Sequence, residues 1–289
     1  MTCVDLHTHS RFSDGTDSPG ELLEQAELIG LAAVALTDHD TTAGLGEFLA
    51  AARLHPGVEA IAGVEISTLF SARELHFVGL FIDPADPELA AFLAEMRENR
   101  RRRNEAIKAK LHFLGYPVEW SDPAFGGLDP ASAGRPHFAR VLVEHYGFPT
   151  MQSVFDKLLK NGCPAYVRRE LPDPSRAIAA IHAAGGVAVW AHPVYRERNE
   201  RAFVRRVLKR FAPLGLDAAE AYYSMFGPPE TALMLEMTST FGLAVSGGSD
   251  YHGKNSPAVA LGEGAGGLRV PAEVVATLRE KSRIYQPGK

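Results

Sequence analysis

At 289 residues, 46% of them apolar, the chain can bury the core of one barrel-sized domain or of a domain carrying an insertion. A net charge of −5 gives no global basic field to draw it onto nucleic acid or a membrane, so a phosphate site would need local cations or metal ions. Two cysteines, Cys3 and Cys163, exclude a disulfide scaffold; both are expected to be structural, in a cytoplasmic protein.

No basic stretch followed by an apolar one opens the chain, so no secretory signal is expected. No apolar run approaches the length of a membrane span. The first apolar run ends in His7-Thr8-His9. Residues i and i+2 of a strand face the same side, so both imidazoles can reach one metal ion. Taken alone, the pair fits two half-buried histidines equally well. Asp14 follows in a loop with turn chemistry, Ser13-Asp14-Gly15. Ser18-Pro19 with Glu21 starts a helix whose buried stripe is Leu22, Leu23, Ala26 and Ile29, and Gly30 ends it. Residues 31–37 form a near-continuous apolar run, as in a parallel strand covered on both faces, and lead into Asp38-His39-Asp40. A helix is expected over 42–53, a third strand over 58–66 with Glu65 at its end, and a fourth over 74–81. His76 is out of pattern, since it lies near the start of its strand.

The alternation then breaks. Residues 86–114 have helix periodicity, and Arg100 and Arg103 fall on the same stripe as Leu93, Met96, Ile107 and Leu111. That position suits either a guanidinium fork for phosphate or ion pairing with nearby carboxylates. Residues 115–134 are loop-like. A helix opens at Arg135-Pro136-His137, and another is expected over 149–161. This all-helical stretch is too long for a barrel loop, which divides the chain into a barrel at 1–98 and 171–289 and an inserted helical cap at 99–170. Strand-helix alternation returns with a helix over 174–184 and a strand over 187–193 that ends in His192. A basic amphipathic helix follows over 200–211, expected to be a solvated outer face. Then come a strand over 216–222, a helix over 230–241, a strand over 243–252 that ends in Asp250 and His252, and a closing helix over 271–281.

His7, His9, Asp14, His39, Glu65, His76, His192, Asp250 and His252 thus collect where strands end. In barrels of alternating strands and helices, that edge carries the ligands and the chemistry. Separately buried polar groups at so many strand ends would each need their own partner. Imidazole and carboxylate without thiolate suit Mn²⁺, Zn²⁺ or Fe²⁺ better than Ca²⁺. The set exceeds the needs of one ion, so two or three are expected. Clustered ions suit phosphoryl chemistry, where a hydroxide held between two metals attacks phosphorus. His55, His112, His145 and His182 take structural or surface roles. Arg11, Lys254 and His137 could face the site; the alternative is a surface role for the first two and a packing role for His137.

Asp5-Leu6-His7-Thr8-His9-Ser10 with Ser13-Asp14-Gly15, Thr37-Asp38-His39-Asp40, Gly63-Val64-Glu65, Ala191-His192-Pro193 and Ser249-Asp250-Tyr251-His252 resemble the motifs of the PHP family, named for polymerase and histidinol phosphatase. The resemblance implies an α/β fold, a distorted (β/α)7 TIM-like barrel with up to three metal ions at its mouth. By matching position, His7, His9, Glu65 and Asp250 would hold the first ion. Glu65, His76 and His192 would hold the second, and Asp14, His39 and His252 the third. Many members have a cysteine at the position of His192, so this chain keeps a ligand there but changes its type. The arginine-rich helix, Gly134-Arg135-Pro136-His137 and the residues from Ala184 to Pro193 resemble the branch that hydrolyses nucleoside 3′,5′-bisphosphates. That branch implies removal of the 3′-phosphate, with His192, His252 and Asp250 at the reacting centre. Arg135, His137, Arg100, Arg103, Arg11 and Lys254 would hold the substrate, a small phosphorylated nucleotide or a short oligonucleotide. Neither a membrane nor an obligate protein partner is expected. Histidinol-phosphate hydrolysis, 5′–3′ exonuclease action and a non-catalytic metal-stabilised binding module are the alternatives.

Overall fold

Runs with few polar residues become strands buried on both faces. The computed structural model describes residues 2–127, 129–194 and 200–282. In it β1 (Cys3–Thr8), β2 (Ala33–Leu36), β3 (Glu59–Phe70), β4 (Arg73–Leu80), β5 (Val187–Trp190), β6 (Ala218–Tyr223), β7 (Ala244–Gly248) and β8 (Val270–Pro271) form one sheet. The strand order is β7-β6-β5-β4-β3-β2-β1-β8. β1, β2 and β3 are parallel, as are β5, β6 and β7, while β4 runs antiparallel to both of its neighbours. The sheet nearly closes where β7 meets β1. There Asp250 donates its N–H to the His7 carbonyl and His9 donates to the Tyr251 carbonyl, both at 2.9 Å. This is the expected α/β barrel, with the short antiparallel β8 as an added strand.

The reversed strand accounts for His76. In the β3–β4 ladder Ser67 lies opposite His76 and Glu65 opposite Val78. The start of β4 therefore lies beside the C-terminal part of β3, and a residue early in one strand shares an edge with residues late in the others. β3 itself runs four residues past the expected end at 66, because the hairpin carries pairing on to Phe70 opposite Arg73.

Helices follow their caps. α1 (Pro19–Leu28) has Ser18 at its N-cap in a capping box with Glu21, and Gly30 at φ 75° lies just beyond its end. α2 (Leu45–Ala51) starts three residues later than expected. Thr42 accepts the Leu45 N–H in a preceding turn, and Gly44 offers no side-chain cap. α3 (Pro87–Phe113) is one long helix. α4 (Arg135–Tyr146) opens with Pro136 in its first turn and closes at Gly147. The expected single helix over 149–161 is instead α5 (Met151–Val154) running into a π-turn over Phe155–Leu159. α6 (Pro174–Ala183) is capped by Asp173, and α7 (Glu200–Phe211), α8 (Pro228–Phe241) and α9 (Glu273–Lys281) follow. α9 starts two residues late because Val270–Pro271 is taken by β8. The stretch at 115–134 is loop apart from a short 3₁₀ turn at Pro123–Phe125 and residue 128, which lies outside the described residues.

The chain divides into two compact units, residues 1–92 with 171–289, and residues 93–170. In the first unit Leu6, Ala35, Ile61, Val78, Val187, Val189 and Ala218 form an apolar core that draws on every strand of the sheet and is joined by Val275 and Leu278 of α9. The second unit has its own core of Ile107, Leu111, Phe125, Phe138, Val141, Leu142, Val154 and Leu159. Among the described residues, no helix is long and apolar enough to cross a membrane.

Candidate metal centre

The strand ends converge on one carboxylate. Glu65, in β3, is fully buried, and five imidazoles approach it from four other strands or the turns after them. Its oxygens lie 3.4 Å from His7 Nε2, 3.3 Å from His9 Nε2, 2.7 Å from His39 Nδ1, 2.8 Å from His76 Nδ1 and 3.2 Å from His192 Nε2. Asp250 approaches from the far end of the chain, with Oδ1 3.5 Å from His7 Nε2 and 3.2 Å from His9 Nε2. Asp14 meets His252 Nε2 at 3.1 Å, His39 Nε2 at 3.7 Å and His9 Nδ1 at 3.8 Å. All the candidate ligands therefore share one mouth.

The groupings that could hold an ion overlap more than the resemblance implies. His7, His9 and Glu65 make one set; His39, Glu65 and His76 a second; His9, Asp14, His39 and His252 a third. His9 and His39 each stand between two sets. His192 reaches the shared carboxylate, and Asp250 reaches both histidines of the first set.

A cation suits this mouth for a stated reason. His7 Nε2, both ring nitrogens of His9, His39 Nδ1, Asp14 Oδ1 and Glu65 Oε2 are buried and make no hydrogen bond of acceptable geometry. Buried polar atoms of this kind are costly when unsatisfied, and these aim at one another's space. A divalent ion satisfies a converging set of lone pairs.

The carboxylates and imidazoles of the mouth set one another's protonation. Burial disfavours the charge on Glu65, yet His39, His76 and His7 outweigh it and hold the carboxyl well below its ordinary range. Asp250 is likewise held well below its range, since His7 and His9 overcome burial, and Asp14 is lowered by His39 and His252 against the same penalty. Burial opposes protonation of His76, but Glu65 and Glu74 push its pKa up to about 10. For His252, Asp14 and Asp250 overcome burial and raise it to about 9. His9 goes the other way: burial, then His252 and His39, lower it to about 4. A ligating imidazole must give up its proton, so metal uptake should release protons and metal affinity should rise with pH. Adding Mn²⁺ to the metal-free protein at pH 7, weakly buffered with an indicator dye, is expected to release more than one proton per chain. An unchanged dye signal would count against His76 and His252 as ligands.

Several residues hold this arrangement without reaching into it. Asp5 accepts the Ser249 N–H at 2.8 Å, the Ser249 hydroxyl at 2.5 Å and the Gly262 N–H at 2.8 Å, tying β1 to the segment after β7. Asp38 accepts from the Ser10 N–H, the Ser10 hydroxyl and the Ser13 hydroxyl, which fixes the loop that carries Asp14. A side chain at Gly248 would place a Cβ 2.5 Å from the His7 backbone nitrogen, so only glycine lets β7 approach β1 here. His192 (φ 32°) and Asp250 (φ 58°) both occupy the left-handed region that non-glycine residues rarely adopt, a local strain that clusters at functional sites.

The remaining sequence candidates have defined surroundings. Arg11 is exposed and pairs with Glu47 at 3.0 Å. Lys254 is exposed beside the His252 turn, its backbone N–H bonded to Thr16. In the second unit, Arg103 is buried and donates to the Val167 carbonyl at 3.1 Å; Arg100 is half-buried. Arg135 donates to the Leu159 carbonyl, with Phe155 and Tyr166 about 6 Å from its guanidinium. His137 is buried, and its Nδ1 accepts the Gly134 N–H at 3.0 Å.

Two residues were not anticipated. Glu220, buried in β6, lies 2.8 Å from His7 Nδ1 and accepts the His192 N–H at 2.6 Å. The Tyr223 hydroxyl donates to Asp250 at 2.9 Å. A signal for Glu220 was present: a carboxylate inside Ala218-Ala219-Glu220-Ala221 is too costly to bury without partners.

The comparisons agree with this geometry. The model of the PHP domain matches residues 5–113. The chain is 37% identical over 261 residues to a 3′,5′-nucleoside bisphosphate phosphatase of Chromobacterium violaceum, covering 87% of this chain and 88% of that protein. It is 37% identical over 248 residues to a 5′-3′ exoribonuclease of Haemophilus influenzae, covering 86% and 89%. A solved structure from Bifidobacterium adolescentis, provisionally named a metal-dependent phosphoesterase, superposes with a TM-score of 0.84 at 31% identity over 97% of this chain and 96% of that one. With the barrel, the converging donors and these relatives in agreement, the chain belongs to the PHP-domain family.

Proposed function

We propose that this chain is a metal-dependent phosphomonoesterase. It removes the 3′-phosphate of nucleoside 3′,5′-bisphosphates, such as adenosine 3′,5′-bisphosphate, and leaves the 5′-mononucleotide. The observation that carries the reading is the approach of five imidazoles to Glu65, with Asp250 and Asp14 beside them. His7, His9, Glu65 and Asp250 would hold one ion, Glu65, His76 and His192 a second, and Asp14, His39 and His252 a third. Mn²⁺ is the expected metal and two or three ions the expected number. When bound, such ions neutralise phosphate charge and activate water. Glu65 would serve the first two positions, with Oε1 facing His7, His76 and His192 and Oε2 facing His9. The leaving ribose 3′-oxygen needs a proton, which an imidazole near the mouth or water acidified there would supply. The preference for a 3′-phosphate follows the Chromobacterium relative, to which the chain is 37% identical over 87% of its length.

Recognition of the 5′-phosphate is assigned to Arg135, with Arg100, Arg103 and His137, and with Arg11 and Lys254 as further cations. Arg135→Ala is expected to raise KM for bisphosphates roughly tenfold or more, the loss of about one charge-assisted pair. Hydrolysis of an aryl phosphate should be unchanged, and an equal effect on both substrates would refute the role.

The exoribonuclease relative supports a second reading, in which short RNA is trimmed from its 5′ end. Phosphate or nucleotide release from a nucleoside 3′,5′-bisphosphate, histidinol phosphate, a dinucleotide and an aryl phosphate, with Mn²⁺ present, decides among the readings. Fastest turnover of the bisphosphate is expected. Faster cleavage of the dinucleotide would favour the nuclease, and silence on all four would favour a metal-stabilised binding module.

A further inference from the structure

β6 lies between β5 and β7 and contributes none of the proposed ligands. Its polar residues nevertheless touch ligands from three other places in the chain. Glu220 is 1% exposed and uses both oxygens: Oε1 lies 2.8 Å from His7 Nδ1, and Oε2 accepts the His192 backbone N–H at 2.6 Å. Three residues on, the Tyr223 hydroxyl donates to Asp250 Oδ2 at 2.9 Å.

Each contact restricts a ligand in a specific way. A carboxylate oxygen accepts, so Glu220 takes the Nδ1 side of the His7 ring as its donor and leaves Nε2 as the nitrogen available to a metal ion. That Nε2 is the atom facing Glu65 and Asp250, and it is buried without a hydrogen bond. The bond to the His192 N–H holds a backbone turn in the left-handed region, which a histidine adopts only when its surroundings impose it. The turn places His192 Nε2 3.2 Å from Glu65. Tyr223 takes Asp250 Oδ2, which leaves Oδ1 as the oxygen directed at His7 and His9.

We infer that β6 is a ligand-positioning strand, in which Glu220 sets the tautomer of His7 and the turn of His192, and so couples two metal positions through one carboxylate. Tyr223 does the lesser job of orienting Asp250. The inference rests on the metal-dependent reading above and adds residues that bind no ion themselves. Partners of this kind change metal affinity by roughly 10- to 100-fold in other sites.

The test uses the full chain, stripped of metal and titrated with Co²⁺. Visible absorption reports coordination, calorimetry reports affinity, and thermal melting of the metal-free forms is measured in parallel. Glu220→Ala is expected to weaken two binding steps by about 10- to 100-fold each and to alter the Co²⁺ bands. Glu220→Gln has one acceptor oxygen in place of two, so one step should weaken and the other persist. Tyr223→Phe should weaken one step only, and by less. Should Glu220→Ala fail to fold, the contrast between Glu220→Gln and Tyr223→Phe carries the comparison. Wild-type Co²⁺ affinity and spectrum in folded Glu220 variants would overturn the inference, even if their melting temperatures fell, because that leaves only a structural role. A wild-type chain that takes up no Co²⁺ would instead overturn the metal-dependent reading itself.

Discussion

Glu65→Gln should abolish turnover, by about 10³-fold or more, while the barrel stays folded. The size follows from the several kcal/mol that metal ions supply to a transferring phosphoryl group, each 1.36 kcal/mol being about tenfold in rate. Glutamine keeps the shape of the side chain but removes a charge that lies within 3.4 Å of all five imidazoles. Without it, His39 and His76 lose the carboxylate that raises both most strongly, and the mouth loses the anion that all five rings face. The measurement is kcat on a nucleoside 3′,5′-bisphosphate with Mn²⁺ in excess, beside metal content and the circular dichroism spectrum. A folded Gln variant that keeps its metal content and wild-type turnover would remove Glu65 from the centre of the mechanism.

Asp250→Ala and His9→Ala should cost nearly as much for a different reason. Each removes a donor from the first set and also disturbs a neighbouring one. His9 stands between Glu65 and Asp14, and Asp250 lies close to His252 as well as to His7 and His9. Near-complete loss of activity is expected with unchanged secondary structure, and metal-stripped wild-type protein should behave in the same way until Mn²⁺ is restored. Normal activity after thorough chelation would sink the metal assignment altogether. The two substitutions separate in metal titrations. His9→Ala should weaken two binding steps and Asp250→Ala chiefly one, since His9 belongs to two candidate sets while Asp250 approaches both histidines of the first.

Much of the fold was legible because barrel strands covered on both faces must be apolar almost throughout. Runs such as Ala33-Val34-Ala35-Leu36 and Val187-Ala188-Val189-Trp190 leave little alternative. Helix starts were equally plain where a cap was written locally, as at Ser18-Pro19 and Asp173-Pro174. The boundaries that moved were those with no local signal. Gly44 offers α2 no cap, and nothing in 149–161 foretells a π-turn, since both periods keep the same apolar residues inside.

The amino-acid sequence by itself determined which residue types stand where strands end, and hence that a cluster of imidazoles and carboxylates exists. Spacing is a property of the chain, and His7-Thr8-His9 or Asp250-Tyr251-His252 shows it directly. Only the tertiary structure decided who meets whom. His76 looked misplaced until the reversal of β4 set its beginning beside the late part of β3. His9 and His39 turned out to stand between sets, and the orienting carboxylate of Glu220 came from a strand 213 residues from His7. Such pairings depend on strand direction and on which oxygen faces which ring. These are set by packing across the barrel, where contacts between residues far apart in sequence leave no periodic trace along the chain.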